Sequence, residues 1–195
     1  MRIISGTQKG RKLFTPPPND KSIRPTSDRA REALFSILGK SVQGAKVLDL
    51  FAGTGAIGLE AFSRNADFVV FIENNSIALD LINKNIGLCL AGYTGNCGLR
   101  VIQHDLTKGL PLNHFPMETR TGFDFIFADP PYGQNMALTI LRAIDTSTLL
   151  TESGTIVIEE RSNIALPVTL SNLHLTDKRV YGENGLWLYN LANRR

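Results

Sequence analysis

Val47-Leu48-Asp49-Leu50-Phe51-Ala52-Gly53-Thr54-Gly55-Ala56-Ile57-Gly58 reads as a buried strand that runs into a glycine-rich turn and then a helix. Glycines let the backbone turn sharply and come close to a ligand, and in open α/β sheets this loop lies at the carboxyl ends of the strands, where ligands bind. Taken literally, Gly53, Gly55 and Gly58 fit the G-x-G-x-x-G pattern of dinucleotide sites. Glu73 then stands at the end of the next apolar run, where a carboxylate accepts ribose hydroxyls. A purely structural tight turn would use the same glycines, but it would not require that acid.

Asp49 separates the ligands this loop could take. A nicotinamide enzyme keeps an apolar residue near the pyrophosphate, and a carboxylate inside the strand repels phosphate. It suits a cofactor carrying a positive amino or sulfonium group, as S-adenosylmethionine does, although Asp49 could also cap the loop structurally. Asp105 follows the strand Leu99 to His104, so three successive strand ends carry acids. The matching expectation places Asp49 near the methionine end, Glu73 on the ribose and Asp105 on the adenine amine.

Outward from the loop the chain alternates strand and helix. Strands are expected at Val47–Phe51, Phe68–Ile72, Leu99–His104, Phe123–Ala128 and Thr155–Ile158, with helices after Gly55, from Ser76, and through Ala137, Ile140, Leu141 and Ile144. Near-continuous apolar strands indicate a mostly parallel sheet covered on both faces. The tail departs from this, because Leu173–Tyr181 and Leu186–Leu191 flank Glu183-Asn184-Gly185, and Asn-Gly favours a hairpin. The expected fold is therefore α/β and Rossmann-like, its sheet mostly parallel and closing antiparallel.

The front end has another character. Arg2–Ser5 and Arg11–Phe14 flank Gly6-Thr7-Gln8-Lys9-Gly10 as a hairpin with a basic tip. A proline-rich linker follows at Pro16 to Asp20, then a helix from Ser27 to Leu38 in which Ala30, Ala33, Leu34, Ile37 and Leu38 form the packed face and Arg29 and Arg31 stay wet. We expect an amino-terminal RNA-facing extension over residues 1–40 and a catalytic domain over 41–195. The net charge is only +3, yet eight of the 21 lysines and arginines precede residue 32 against Asp20 and Asp28. A solvated basic face explains such a cluster, and so does a polyanion, with Arg2, Lys9, Arg11, Lys12, Arg29 and Arg31 as candidate RNA contacts.

With no apolar run of about 18 residues and no signal-like amino terminus, the chain is expected to be soluble and cytoplasmic. Cys89 and Cys97 show no metal-ligand spacing, so no metal or disulfide is expected. His104, His114, His174, Trp187 and Tyr189 read as structural.

Asp129-Pro130-Pro131-Tyr132 ends the strand Phe123–Ala128 on the side of the same crevice. Two prolines make a stiff segment without N–H donors, so the Asp129 carboxylate and the Pro130 carbonyl both act as acceptors, a match for one NH2 group. Acceptors around an exocyclic amine favour a pyramidal nitrogen whose lone pair faces the methyl donor. Tyr132 offers a face on which a splayed base stacks. A proline turn capped by Asp129 is the structural alternative. No G-x-S-x-G, Walker loop or zinc motif competes.

Met1-Arg2-Ile3-Ile4-Ser5-Gly6, Arg24-Pro25-Thr26-Ser27-Asp28-Arg29-Ala30-Arg31-Glu32-Ala33-Leu34-Phe35, Asp49-Leu50-Phe51-Ala52-Gly53-Thr54-Gly55, the Asp129 tetrad and the tail Tyr181 to Tyr189 together resemble the RsmD family, bacterial guanine-N2 methyltransferases of 16S ribosomal RNA. The resemblance implies a class I methyltransferase sheet with S-adenosylmethionine around Asp49, Phe51, Gly53, Gly55, Glu73, Asn74, Asp105 and Leu106. It implies that Arg24 and Thr26 close over the cofactor, that Asp129, Pro130 and Tyr132 hold the guanine, and that the substrate is RNA within an assembled small subunit. Glu73-Asn74-Asn75 departs from the pattern, since relatives follow the ribose acid with a basic residue and often Asp.

Three other functions fit parts of this pattern. The tetrad suits any planar amine, so adenine in nucleic acid or a protein amide remains an alternative target. A nicotinamide dehydrogenase would use the same glycines and Glu73, and a non-catalytic RNA-binding assembly factor would use only the basic front end.

Overall fold

The alternating apolar runs fold into one seven-stranded sheet, in a computed structural model that describes residues 1–17, 28–131 and 135–192, without the Arg29 side chain. In chain order the elements are α1 (Asp28–Leu38), β1 (Lys46–Leu50), α2 (Ala56–Ser63), β2 (Phe68–Glu73), α3 (Ser76–Leu90), β3 (Gly98–Gln103), β4 (Phe123–Ala128), α4 (Met136–Asp145), β5 (Leu150–Arg161), β6 (Leu173–Tyr181) and β7 (Asn184–Leu191). The strand order is β3-β2-β1-β4-β5-β7-β6. β3, β2, β1, β4 and β5 run parallel, whereas β7 is antiparallel to both β5 and β6. After β3 the chain crosses back to pair β4 with β1, so the switch point of the sheet lies between β1 and β4.

Strand alternation splits the core into two layers. Val47, Val69, Phe71, Phe125, Phe127, Val157, Leu186 and Leu188 pack beneath α1, α2 and α3, while Leu48, Leu50, Val70, Ile72, Ile126, Ile156 and Ile158 pack against α4 through Ala137, Ile140, Leu141 and Ile144. Trp187 and Tyr189 point into this second layer, and the Tyr189 hydroxyl donates to the Pro167 carbonyl. The hairpin between β6 and β7 turns at Gly182-Glu183, not at Asn-Gly. Tyr181 pairs with Asn184, and Gly182 takes the positive φ (+65°) required at the first place of such a turn.

The amino-terminal segment forms only a minimal hairpin, with Arg2 bridged to Lys12 and the Ile3 N–H donating to the Arg11 carbonyl. Its tip does not project. The N–H groups of Ile4 and Ser5 donate to the two carboxylate oxygens of buried Glu60, and the Thr7 N–H donates to the carbonyl of Ser63 at the end of α2. A Cβ on Gly6 would lie 1.8 Å from that carbonyl oxygen, so only glycine permits this approach. Ile3, Leu13, Leu34, Phe35 and Leu38 join the first core layer.

Arg31 corrects an expectation. Its side chain is fully buried, donating to the Arg2 carbonyl and pairing with Asp28 at 2.8 Å, so it is not available to RNA. The reason is helix phase. The face that packs is Arg31, Leu34, Phe35 and Leu38, while Ile37 is left exposed. Arg11 is half-buried and donates to the Leu88 and Ala91 carbonyls at the end of α3, where helix carbonyls lack intrahelical partners. Among the expected RNA contacts, Arg2, Lys9 and Lys12 are exposed.

Candidate active site

The glycine loop is built from the carboxyl end of β1. Phe51, a non-glycine residue at φ +59°, leaves the strand there, and Gly53 and Gly55 continue at φ +56° and +76°. Such a conformation at a bulky residue is costly and collects at ligand sites. Gly58 serves packing, since a Cβ there would sit 2.2 Å from the Phe71 ring. Glu73 staples the loop to the β2–α3 turn. One of its oxygens accepts from the Gly53 N–H at 2.8 Å, and the other accepts from the N–H groups of Asn74 and Asn75. Asn75 then caps α3, taking bonds from the Ile77 and Ala78 N–H groups, and Asn74 is exposed.

Asp49 lies at the switch point, in register with Phe127 of β4, and is 3% exposed. Its Oδ2 accepts from the Gly58 N–H at 2.9 Å. Burial pushes its pKa up to about 8; the Gly58 bond opposes the rise, and the charges of Glu73 and Asp129 add to it. Asp105 accepts from the hydroxyl and N–H of Thr107, a pair of bonds that lowers its pKa, and it begins the turn containing buried Leu106. Asp105 thus follows β3 by two residues, just past the register pair of Gln103 with Glu73 of β2.

Asp129 follows β4 directly and Pro130 is buried. Asp49, Asp129 and Glu159 line one cleft with Leu34, Ile57, Phe127, Val157 and Leu186, enclosing about 280 Å³ of empty space that includes its open mouth. The structure therefore brings Asp49, the glycine loop and Glu73 together around the end of β1, and sets Asp129 against Asp49. Tyr132, Arg24 and Thr26 lie outside the described residues. Among the described residues, no group of three His, Cys, Asp or Glu side chains could hold a metal. No helix among them is long and apolar enough to cross a membrane.

Two residues of this region were not singled out from the sequence. Glu159 follows Val157 at strand spacing, and the pairing of Val157 with Phe127 turns that face of β5 to the cleft. Asn85 of α3 is fully buried, donating to the Thr54 carbonyl of the glycine loop and exchanging bonds with the Phe14 backbone. No local pattern marks it.

The Asp49 shift gives a stability prediction. Between its ordinary value of 3.8 and about 8, the unfolded carboxyl is ionised and the folded one protonated. The folded state then binds the extra proton, so this contribution to stability is full below the lower value and is lost as pH rises through the upper. In thermal unfolding without ligand, the wild-type Tm should fall relative to that of Asp49→Asn from pH 5 to pH 8.5. Parallel curves would mean that Asp49 titrates as an ordinary carboxyl.

The geometry has close relatives. A family model described as conserved hypothetical protein 95 matches residues 1–190. YlbH of Bacillus subtilis (strain 168), provisionally named an rRNA methyltransferase, is 35% identical over 97% of this chain and 98% of its own. Ribosomal RNA small subunit methyltransferase D of Escherichia coli (strain K12) is 32% identical over 97% of this chain and 89% of its own. The solved structure of Escherichia coli yhhF, provisionally named a methyltransferase, superposes with a TM-score of 0.81 at 30% identity, covering 100% of this chain and 99% of that one. With the family model matching residues 1–190 and the Escherichia coli methyltransferase 32% identical over 97% of the chain, the chain belongs to the RsmD family of methyltransferases.

Proposed function

We propose that this protein transfers a methyl group from S-adenosylmethionine to the exocyclic N2 amine of a guanine in small-subunit (16S) ribosomal RNA. The observation that carries the reading is the meeting of Asp49 and Asp129 in one cleft at the switch point of the sheet. The charges of Glu73 and Asp129 attract a cationic ligand and repel pyrophosphate, and a cation bound there draws buried Asp49 to its ionised form, which favours S-adenosylmethionine over a dinucleotide. Asp49, Phe51, Gly53, Gly55, Glu73, Asn74, Asp105 and Leu106 are the residues to hold it, with Arg24 and Thr26 closing over it. Bound there, the cofactor supplies an activated methyl group on sulfur.

The rest of the reaction is alignment by this chain's residues. Asp129 and the Pro130 carbonyl accept the two amine hydrogens and aim the nitrogen lone pair, and Tyr132 stacks on the base. Holding two reactants in line lowers a barrier by up to about 7–11 kcal/mol. The name of the Escherichia coli relative supports ribosomal RNA of the small subunit as the substrate, held within an assembled subunit or an assembly intermediate in the cytoplasm. Residues 1–40 act as the RNA-facing extension of the domain over 41–195.

To test this, labelled S-adenosylmethionine and small subunits from cells lacking the gene are incubated with the protein. Label is expected in the RNA of the subunit; label only in protein, in DNA or in large-subunit RNA would contradict the proposal.

Exposed Lys9 and Lys12 give a separate prediction. Changing both to Ala should weaken RNA binding and lower the slope of log affinity against log salt by about 1.4–1.8, with S-adenosylhomocysteine affinity unchanged. Arg11→Ala should instead lower the Tm, because Arg11 holds the end of α3. An unchanged salt slope in the double variant would remove this face from the RNA interface.

A further inference from the structure

Glu159 is a carboxylate that directly follows the apolar run Ile156–Ile158 of β5, and it is 8% exposed. The last parallel pair between β4 and β5 is Ala128 with Ile158, and Asp129, just past the end of β4, and Glu159 of β5 are the next residues along the two segments. Both share the side of Phe127 and Val157, and both line the cleft that holds Asp49. Glu159 also lines a wider cleft between Ala30 of α1 and the β6–β7 turn, with about 730 Å³ of empty space including solvent at its mouth. The two clefts meet at Glu159 and Leu186. Asn184 fixes the side chain there, its Nδ2 donating to Glu159 Oε1 at 2.8 Å.

We propose that Glu159 is the specificity-determining acceptor of the site, receiving the N1–H of the target guanine while Asp129 receives an N2–H. This rests on the amino-methyltransfer reading above. The Watson–Crick edge of guanine places the N1–H beside the N2 amine, so consecutive donors meet two carboxylates that line one cleft beside the last pair of β4 and β5. Adenine also presents an amine, but the neighbouring ring nitrogen is an acceptor. An ionised carboxylate has only acceptor atoms, so Glu159 faces that lone pair with like polarity, and a buried polar group left unpaired is costly. A carboxylate offers about four acceptor positions, so Glu159 can keep the bond from Asn184 that orients it and still accept from the base. Asp129 therefore handles the feature shared by all planar amines, and Glu159 the feature that distinguishes guanine.

The test uses small subunits reassembled with RNA carrying, at the position the wild type methylates, either guanine or 2-aminopurine. The latter keeps the N2 amine, but its N1 is an acceptor. The wild type should methylate guanine at least about tenfold better in kcat/KM, the scale of one hydrogen bond to a charged group. Glu159→Gln, whose amide can donate to N1, should lower the guanine rate and reduce that preference at least about tenfold, with Tm and S-adenosylhomocysteine affinity unchanged. Equal wild-type rates on the two bases would overturn the proposal without any variant, and so would a preference unmoved by Glu159→Gln. If the wild type yields no N2-methylguanine at all, the functional reading falls as well, which the product of the unmodified reaction reveals first.

Discussion

Asp129→Ala is expected to lower the single-turnover rate of methyl transfer by roughly 10²–10³-fold, the loss that follows removal of one preorganised hydrogen-bonding partner of a transition state. RNA binding should persist, since contacts to phosphate carry a large share of such affinity and Asp129 makes none. Cofactor affinity should stay the same or tighten slightly, because the Asp129 charge is one of the groups that discourages ionisation of Asp49. Equilibrium binding of S-adenosylhomocysteine beside rapid-quench transfer separates these effects. Transfer within about tenfold of the wild type would show that the Asp129 carboxylate does not hold the reacting amine. Loss of cofactor binding would place Asp129 in the cofactor site instead.

The second large effect is expected at Glu73. Glu73→Ala leaves the N–H groups of Gly53, Asn74 and Asn75 without their acceptor, and it removes the proposed partner of the ribose hydroxyls. Hydrogen bonds to charged groups contribute about 1.5–3 kcal/mol each, but Asn74 is exposed and water can replace part of the loss. The affinity for S-adenosylhomocysteine should fall by about 10–100-fold, and the Tm without ligand should drop by several degrees. Glu73→Gln keeps one acceptor oxygen and should fall between. A lower Tm with unchanged affinity would make Glu73 a staple of the loop alone, and no change in either would remove it from the site.

The strands that carry the site were legible because burial on both faces leaves little choice of residue. Phe123–Ala128 and Leu173–Tyr181 form as expected, and β1 ends one residue before Phe51 because that residue turns to positive φ. β5 begins earlier than the apolar run Thr155–Ile158, because Leu150 already pairs with Phe123, and the polar stretch Thr151-Glu152-Ser153-Gly154 bulges out of register before Thr155 pairs with Phe125. Where local signals failed, a tertiary contact decided the outcome. The basic hairpin tip is held down by Glu60 and Ser63, residues more than fifty positions away. Arg31 looked like a wet charge on α1, but the helix turns it inward onto the Arg2 carbonyl.

The candidate site shows the same division. Asp49, Glu73 and Asp129 could be found because each ends or interrupts an apolar run, and parallel strands bring such ends to one edge. Glu159 carries the same signal but sits beside Glu160, and only the pairing of β5 with β4 shows which of the two faces the cleft. Asn85 was invisible, because its meaning depends on the Phe14 backbone approaching the glycine loop.

The central claim is that the amine aligned by Asp129 is N2 of a guanine in small-subunit ribosomal RNA. The most direct measurement is nucleoside mass spectrometry of that RNA after reaction with S-adenosylmethionine carrying a heavy methyl group, followed by mapping of the modified position. The account predicts labelled N2-methylguanosine at one site, absent with Asp129→Ala. Labelled N6-methyladenosine, or a methyl group found only on protein, would contradict it.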